Sequence, residues 1–183
     1  TNLELAVTAT LRAKVEMPGQ FTIPARTLAD VVNLLREEKV DIELKDQELH
    51  IISGKSSTKI KGTQAEEFPI IPSIDGGKLF AFSRSVLKEG LSQVTPAVAK
   101  SDIRPELSGV FFGLNARGKK GLTLAATDSY RLAEKILAIE QGEEDETRLI
   151  LPGKTAQEII RVLGQSSDET ARLVVTENQI HLS

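Results

Sequence analysis

The stretch of sequence that decides the fold is Phe21-Thr-Ile-Pro-Ala-Arg-Thr-Leu-Ala-Asp-Val-Val-Asn-Leu-Leu35. It recurs further along the chain as Leu149-Ile-Leu-Pro-Gly-Lys-Thr-Ala-Gln-Glu-Ile-Ile-Arg-Val-Leu163. Pro24 matches Pro152, at an offset of 128 residues. A period of this length indicates a repeated domain, because the repeats of solenoid proteins are only about 20–50 residues long.

The repeat extends outward on both sides of this stretch. Downstream, residues 40–44 and 47–51 match residues 171–175 and 178–182 at an offset of 131, which a short loop insertion explains. Upstream, residues 1–6 resemble residues 127–133. About one and a half copies fit into the 183 residues, so we expect the chain to begin and end inside repeated units.

Apolar residues recur at helical spacing in three places. The first predicted helix spans residues 27–38, and the others span residues 85–94 and 156–163. The apolar stripe of the first consists of Leu28, Val31, Val32 and Leu35. We expect Thr155 to cap the third helix, with a Glu three residues later, and Gly164 to end it.

Strand patterns fill much of the remaining chain. They occur at residues 21–23, 42–44, 49–52, 58–60, 79–82, 110–114 and 122–126. Residues 69–77 contain two Pro and two Gly, which makes them the best candidate for a linker between domains. Few helices among many strands, in the order strand, helix, strands, predict the α+β class.

Composition removes several classes of protein. The chain has no Cys, which excludes disulfide scaffolds and cysteine-ligated metal sites. Residues 1–15 lack the long apolar segment of a signal peptide, and no uncharged apolar run is long enough to cross a membrane, so we expect a cytoplasmic protein. The net charge of −3 gives no global case for nucleic-acid binding, so any contact with DNA must be local.

Two motifs suggest chemistry but favour a structural interpretation. Gly153-Lys-Thr155 resembles the end of a phosphate-binding loop, yet Arg148 stands where that motif requires its first Gly. The histidines His50 and His181 occupy matching positions of the repeat, which favours a shared place in the fold over catalysis. We therefore predict neither a cofactor nor a metal site.

The cluster Thr127, Asp128, Tyr130 and Arg131 places a hydroxyl, a carboxylate, a phenol and a guanidinium close together. A turn in which Asp128 accepts backbone N–H groups is one interpretation, and a binding surface is another. An enzyme that uses Asp128 and Arg131 is a third possibility, although no base, nucleophile or metal ligand stands in a known arrangement. A duplicated adaptor domain without any DNA role is the fourth.

Basic residues head or line all three predicted helices. They are Arg26 and Arg36 in the first, Arg84 and Lys88 in the second, and Lys154 and Arg161 in the third. The uncharged Asn33 lies on the same polar side of the first helix. Acidic residues share these helices, so a solvated surface is the simplest explanation. No base-reading motif is present, so any DNA contact would be with phosphates and sensitive to salt.

Three further blocks carry a resemblance to a known family. They are Ala65-Glu-Glu-Phe-Pro69, Arg104-Pro-Glu-Leu-Ser-Gly-Val110 and Ala126-Thr-Asp-Ser-Tyr-Arg-Leu-Ala133. In this order, and together with the repeat, they resemble the bacterial sliding clamp family, the DNA polymerase III beta subunits. The resemblance covers essentially the whole chain.

The resemblance implies a fold and a mode of action. Subunits of this family have three similar domains with sheets outside and helices inside, and two subunits close into a ring around double-stranded DNA. By this likeness residues 1–74 are the C-terminal part of the first domain, residues 78–183 are most of the second, and the third is absent. The family acts as a processivity factor without catalysis of its own.

The resemblance also implies two kinds of site residue. The DNA polymerase III catalytic subunit and the clamp loader insert short peptides into a hydrophobic cleft on the second domain and its junction with the third. Matched by position, its wall here is Leu107, Thr127, Ser129, Tyr130, Arg131 and Leu132. The residues expected to line the DNA channel are Arg26, Lys88, Lys154 and Arg161. Ser129-Tyr130 departs from the Gly-His of many relatives, which puts the local shape in question.

Overall fold

The structure is a computed structural model that describes the chain except residues 2, 3, 72, 73, 75, 102, 119, 166, 167 and 178. The chain divides into two compact units, Thr1–Pro72 and Ser73–Ser183. Strands are numbered β1 to β11 and helices α1 to α3 in chain order. No helix among the described residues has the length and apolar character needed to span a membrane.

The described residues of the first unit form one α-helix and one antiparallel sheet. Helix α1 (Ala25–Leu34) is followed by β1 (Asp41–Lys45), β2 (Glu48–Ser53) and β3 (Ser56–Lys61), paired in the order β1-β2-β3. The strands predicted at residues 42–44, 49–52 and 58–60 are confirmed. Asp46 and Gln47 form the tight turn between β1 and β2 with φ of 48° and 63°, the left-handed conformation that two-residue hairpin loops require.

Helix α1 begins two residues before the predicted start at residue 27 and ends four residues before the predicted end at residue 38. Pro24 directly precedes it, and its fixed φ suits a position at the start of a helix. The helix ends because Leu35 adopts an extended conformation with ψ of 138°. Leu28, Val31 and Leu35 are half-buried, but Val32 is 50% exposed and does not belong to the buried stripe.

The core of the first unit is small. Ile51 and Ile60 are its buried apolar residues among those described, and α1 has no buried residue. Residues 4–20 have no helix or strand, and the predicted strand at 21–23 is reduced to a bridge between Thr22 and Thr63. The unit therefore exposes much of its apolar surface.

In the second unit, the residues that the structure describes form two α-helices and two four-stranded antiparallel sheets. One sheet has the order β11-β10-β4-β8, formed by Ile180–Leu182, Thr170–Val175, Lys78–Ser83 and Gln141–Gly142. The other has the order β7-β6-β5-β9, formed by Leu132–Leu137, Leu122–Thr127, Gly109–Leu114 and Thr147–Pro152. Helices α2 (Arg84–Val94) and α3 (Gly153–Gln165) pack against each other and against these strands.

One continuous apolar core holds the second unit together. Its fully buried residues include Phe80, Phe82, Leu91 and Leu124. Gly90 in the middle of α2 permits close packing, because a Cβ there would lie 2.8 Å from Leu137 Cδ1. Burial on this scale is the main source of stability in a domain of this size.

The repeat found in the sequence is also present in the structure. Glu43 pairs with His50 across β1 and β2, and Val174 pairs with His181 across β10 and β11, so the offset of 131 preserves the register. Helix α3 also follows a Pro, as α1 does. It begins at Gly153 and ends at Gln165, so the expected cap Thr155 and the expected stop Gly164 both lie inside the helix and those two expectations were wrong.

Candidate functional site

The loop between β6 and β7 is held by its own hydrogen bonds, and residues 127–132, which include the last residue of β6 and the first of β7, are called the Asp128 turn here. Asp128 Oδ1 accepts the backbone N–H groups of Tyr130 at 3.1 Å and of Arg131 at 3.0 Å. The Arg131 Nε–H donates to Asp128 Oδ2 at 3.0 Å. The Asp128 carboxylate thus holds the backbone of the turn by accepting its N–H groups, as expected for a structural turn.

Electrostatics keep Asp128 ionised. Desolvation by burial raises its pKa, but the hydrogen bonds from the backbone N–H groups of Arg131 and Tyr130 and the charge of the Arg131 guanidinium outweigh it. The pKa of Asp128 therefore lies below its usual value of 3.8. A carboxylate with a lowered pKa and both oxygens engaged is a poor general base at neutral pH.

The hydroxyl of Thr127 holds the other side of the turn. It donates to the Arg131 carbonyl at 2.7 Å and accepts the Ser129 N–H at 3.1 Å. Ser129 has a φ of 76°, in the left-handed region where glycine is the least strained residue. The side chain at position 129 is therefore accommodated at some conformational cost, while the two hydrogen bonds of the Thr127 hydroxyl hold the backbone of the turn together.

The two side chains beside this frame point into solvent. Tyr130 is 98% exposed and Leu132 is 71% exposed. The Asp128 turn therefore exposes one large aromatic and one large aliphatic side chain to solvent, two positions apart in the sequence. Leu107, at the end of the short helix Pro105–Leu107, is half-buried.

Arg104, which was not among the predicted cleft residues, connects the block of residues 104–110 to the Asp128 turn. Arg104 Nη1 donates to Ser129 Oγ at 3.4 Å, across 25 residues of sequence. Arg104 also pairs with Glu106, its Nε lying 3.5 Å from Glu106 Oε1. Arg104 is the first residue of the Arg-Pro block, so the sequence marks it as a candidate site residue. The contact between Arg104 and Ser129 depends on tertiary structure, which the sequence pattern does not show.

The basic residues on α3 differ in how free they are. Lys154 is exposed, whereas Arg161 is bound to Glu158, with Nη2 and Oε2 separated by 2.7 Å. These three residues share one face of the helix because they are spaced by four and three positions. Glu158 offsets part of the positive charge of this face.

The basic residues of α2 lie close to the end of α3. Arg84 Nη1 donates to the Leu163 carbonyl, and the buried Arg84 Nε has no hydrogen-bond partner among the described residues. Lys88 is half-buried, and its Nζ would lie 3.3 Å from a Cβ at Gly164. Both cations are placed where the carbonyls at a helix C-terminus favour positive charge. Arg84, which headed the predicted helix, is therefore a structural residue.

Arg26 belongs to the first unit and is the second residue of α1, where it is exposed. It occupies the position that Lys154 occupies in α3. Within the described part of the chain, no group of three or more His, Cys, Asp or Glu side chains is placed to hold a metal ion.

The chain has the DNA clamp fold, in which antiparallel sheets pack against helices in repeated units. Models of two families match the chain: the DNA polymerase III beta subunit N-terminal domain over residues 1–72 and its central domain over residues 81–183. The chain belongs to the DNA polymerase III beta subunit family.

Several known proteins are similar to this chain. The beta sliding clamps of Bacillus subtilis and Halalkalibacterium halodurans are 32% and 31% identical, each over 91% of this chain and 43% of the relative. The crystal structure of the Bacillus subtilis sliding clamp has a TM-score of 0.83 at 30% identity and covers 93% of this chain and 44% of that one. A Pseudomonas aeruginosa clamp bound to griselimycin has a TM-score of 0.82 at 28% identity, covering 91% and 44%. The chain thus spans less than half the length of these relatives.

Proposed function

We propose that this chain is part of a DNA sliding clamp, a processivity factor that encircles duplex DNA and tethers the replicative polymerase to it. The support is its family membership and the sliding clamps among its relatives. Tethering acts by raising the effective concentration of the polymerase at its template, which needs no catalysis by the clamp. The proposed setting is the bacterial cytoplasm, and the proposed assembly is a homodimeric ring of the full-length protein.

In this proposal residues 1–74 are the C-terminal part of the first clamp domain and residues 78–183 are most of the second. The family matches over residues 1–72 and 81–183 support this division. The division of the chain after Pro72 supports it independently.

The observation that carries the proposed partner site is the exposure of Tyr130 and Leu132 in the Asp128 turn, whose backbone is held by hydrogen bonds to Asp128. A peptide with a Leu and an aromatic residue would bury these side chains, and Leu107 would add to the apolar surface. Arg131 and Arg104 supply N–H donors for its backbone or carboxylates. We propose that the DNA polymerase III catalytic subunit and the clamp loader bind here.

The same geometry argues against an enzyme that uses Asp128 and Arg131. Both Asp128 oxygens accept hydrogen bonds from the turn, and the Arg131 guanidinium is bound to the carboxylate. Asp128 is therefore not available to accept a proton from a substrate. Turnover of any ester or nucleotide that disappears in an Asp128→Asn variant would reverse this conclusion.

The test is binding of a fluorescent peptide that contains a Leu and an aromatic residue, measured by anisotropy. We expect Leu132→Ala to weaken binding by about tenfold or more, because a buried anchor at an interface contributes about 1–2 kcal/mol or more. Ile136→Ala is the matched control, since Ile136 is a large apolar residue on the same strand and the same face and is 46% exposed. Equal losses in both variants, or none in Leu132→Ala, would contradict the proposed site.

A further inference from the structure

The hydrogen bond between Arg104 and Ser129 holds a cation beside the Asp128 turn. Arg104 Nη1 donates to Ser129 Oγ at 3.4 Å, and the Ser129 backbone N–H donates to Thr127 Oγ1 at 3.1 Å. Ser129 is thus fixed by its backbone within the turn, and its hydroxyl extends from the turn to a residue 25 positions earlier in the sequence. The guanidinium of Arg104 is thereby restrained before any partner binds.

The other arginine of this surface, Arg131, already has a carboxylate that belongs to the turn. Its Nε–H donates to Asp128 Oδ2 at 3.0 Å, while Asp128 Oδ1 accepts the backbone N–H groups of Tyr130 and Arg131. The Asp128 side chain is only 23% exposed. Asp128 cannot leave Arg131 unless the turn itself opens, so the charge of Arg131 is largely offset within the turn.

The carboxylate beside Arg104 is held much less firmly. Arg104 Nε lies 3.5 Å from Glu106 Oε1, and the two side chains are 64% and 57% exposed. A charge-assisted N–H···O bond is normally about 2.7–2.9 Å long, and solvated ion pairs contribute little to stability. A carboxylate from a ligand can therefore replace Glu106. It can also bind the remaining N–H groups, because a guanidinium has more of them than Glu106 and Ser129 engage.

We propose that Ser129 is a positioning residue that holds Arg104 ready for a carboxylate of the partner peptide, so that the site prefers peptides that carry one. The inference rests on the proposed function and deepens it. Tyr130 and Leu132 provide the apolar contacts, whereas Arg104 selects by charge. Restraining a long side chain before binding reduces the conformational entropy that binding would otherwise cost. Glu106 opposes the preference, because it competes for the same guanidinium.

The test compares three fluorescein-labelled peptides that share one Leu and one Phe. The first has Glu residues on both sides of this pair and an amidated C-terminus. The second has Gln at the same positions and is also amidated, and the third is the Gln peptide with a free C-terminal carboxylate. Anisotropy at low salt measures the three affinities for the unsubstituted chain.

We expect one of the two peptides with a carboxylate to bind about fivefold more tightly than the amidated Gln peptide, the upper end for a solvent-exposed ion pair. Tighter binding of the Glu peptide assigns Arg104 to an acidic side chain, and tighter binding of the free-acid peptide assigns it to a C-terminus. The preference should shrink as salt is added, because the ion pair is exposed. Equal affinity of all three peptides would overturn the proposal.

The ratio of the affinities for the charged and neutral peptides separates positioning from shape, because a change in shape weakens both peptides alike. Arg104→Gln should abolish the preference. Ser129→Ala, which retains Arg104, should reduce it by about half or more, and Glu106→Gln should raise it by about twofold. Arg148→Gln is the matched control: Arg148 is also exposed and paired with a Glu two residues away, but it lies on β9, which β5 separates from β6.

A preference that Ser129→Ala leaves unchanged would overturn the positioning role. An equal loss in Arg104→Gln and Arg148→Gln would indicate a general effect of net charge and would overturn the proposal as well. Failure of the proposed function has a different result, because it would leave peptide binding absent or unaffected by Leu132→Ala. Binding that depends on Leu132 but shows no preference for a carboxylate would reject this inference alone.

Discussion

Helices α1 and α3 come from the two copies of one sequence stretch, yet the second is much better buried. Each begins directly after a Pro, at residues 25 and 153. Helix α1 has no buried residue, whereas α3 buries Ala156 and Leu163. Similar local sequences therefore produce similar helices with different degrees of burial.

The difference comes from what surrounds each helix. Helix α3 contacts α2, β5 and β9, whereas α1 contacts β3 within its own unit. The stability of a helix in a protein derives mainly from packing of its apolar face and only weakly from its own propensity. Residues 153–165 should therefore be far more resistant to unfolding than residues 25–34, and the matched positions allow this to be tested.

The largest effect is expected from truncating the matched leucines. Leu163 is buried and Leu35, its counterpart, is half-buried. Leu163→Ala should destabilise the second unit by about 2–5 kcal/mol, because it leaves a cavity in a packed core. Leu35→Ala should cost about 1 kcal/mol or less. Urea unfolding followed by hydrogen exchange in each unit measures both, and equal costs would break the comparison.

A swap at the next matched position should give a smaller effect. Ala156 is fully buried, and its counterpart Leu28 is half-buried. Ala156→Leu should destabilise the second unit by about 1–3 kcal/mol through overpacking. Leu28→Ala leaves a partly solvated gap and should cost less. Thermal unfolding of each single variant checks the order, which a larger loss for Leu28→Ala would reverse.

The Asp128 turn should show a pH-dependent contribution to the stability of the second unit. Because the folded pKa of Asp128 lies below its usual 3.8, its contribution is fully present above that value. It is lost as the pH falls through the lowered folded pKa. The melting temperature of the unsubstituted chain should exceed that of Asp128→Asn at about pH 7 and converge with it in strong acid. A constant difference at all pH values would contradict the assigned interactions.

The smallest effect should be the same in both units. Arg26 and Lys154 are exposed at matched positions, so burial of the helix beneath them should not matter. If each contacts a phosphate, Arg26→Gln and Lys154→Gln should each reduce the salt dependence of duplex binding by about one unit of slope. Glu158→Gln is the opposing control, because it frees Arg161. An unchanged slope in both Gln variants would remove these residues from the DNA surface.

The sequence predicted features that depend on local pattern. The repeat, the three helices and the hairpins are visible because side-chain periodicity and turn residues act over a few positions. The prediction of helix ends was less accurate. Thr155 is a residue type that commonly caps helices, but α3 begins at Gly153, directly after Pro152. A cap residue and a residue in the first turn have similar compositions, which pattern alone does not separate.

Features that depend on tertiary contacts were not predicted. Arg84 headed a helix with Lys88, but its hydrogen bond to the Leu163 carbonyl makes it structural. The contact between Arg104 and Ser129 joins residues far apart in sequence. The exposure of Ile42 was equally hidden, since its alternating pattern matches that of the buried Leu173. Burial is a property of neighbours, which a strand pattern does not specify.

We propose that the partner surface lies on the Asp128 turn of the second unit and not at residues 1–6, the partial counterpart of this turn in the first unit. An NMR titration of the ¹⁵N-labelled chain with the Leu- and aromatic-containing peptide tests it directly. We predict chemical-shift changes concentrated at residues 104–107 and 127–132, with the amides of α1 and β1 unaffected. Changes centred on the first unit, or spread without a maximum at the Asp128 turn, would contradict the claim.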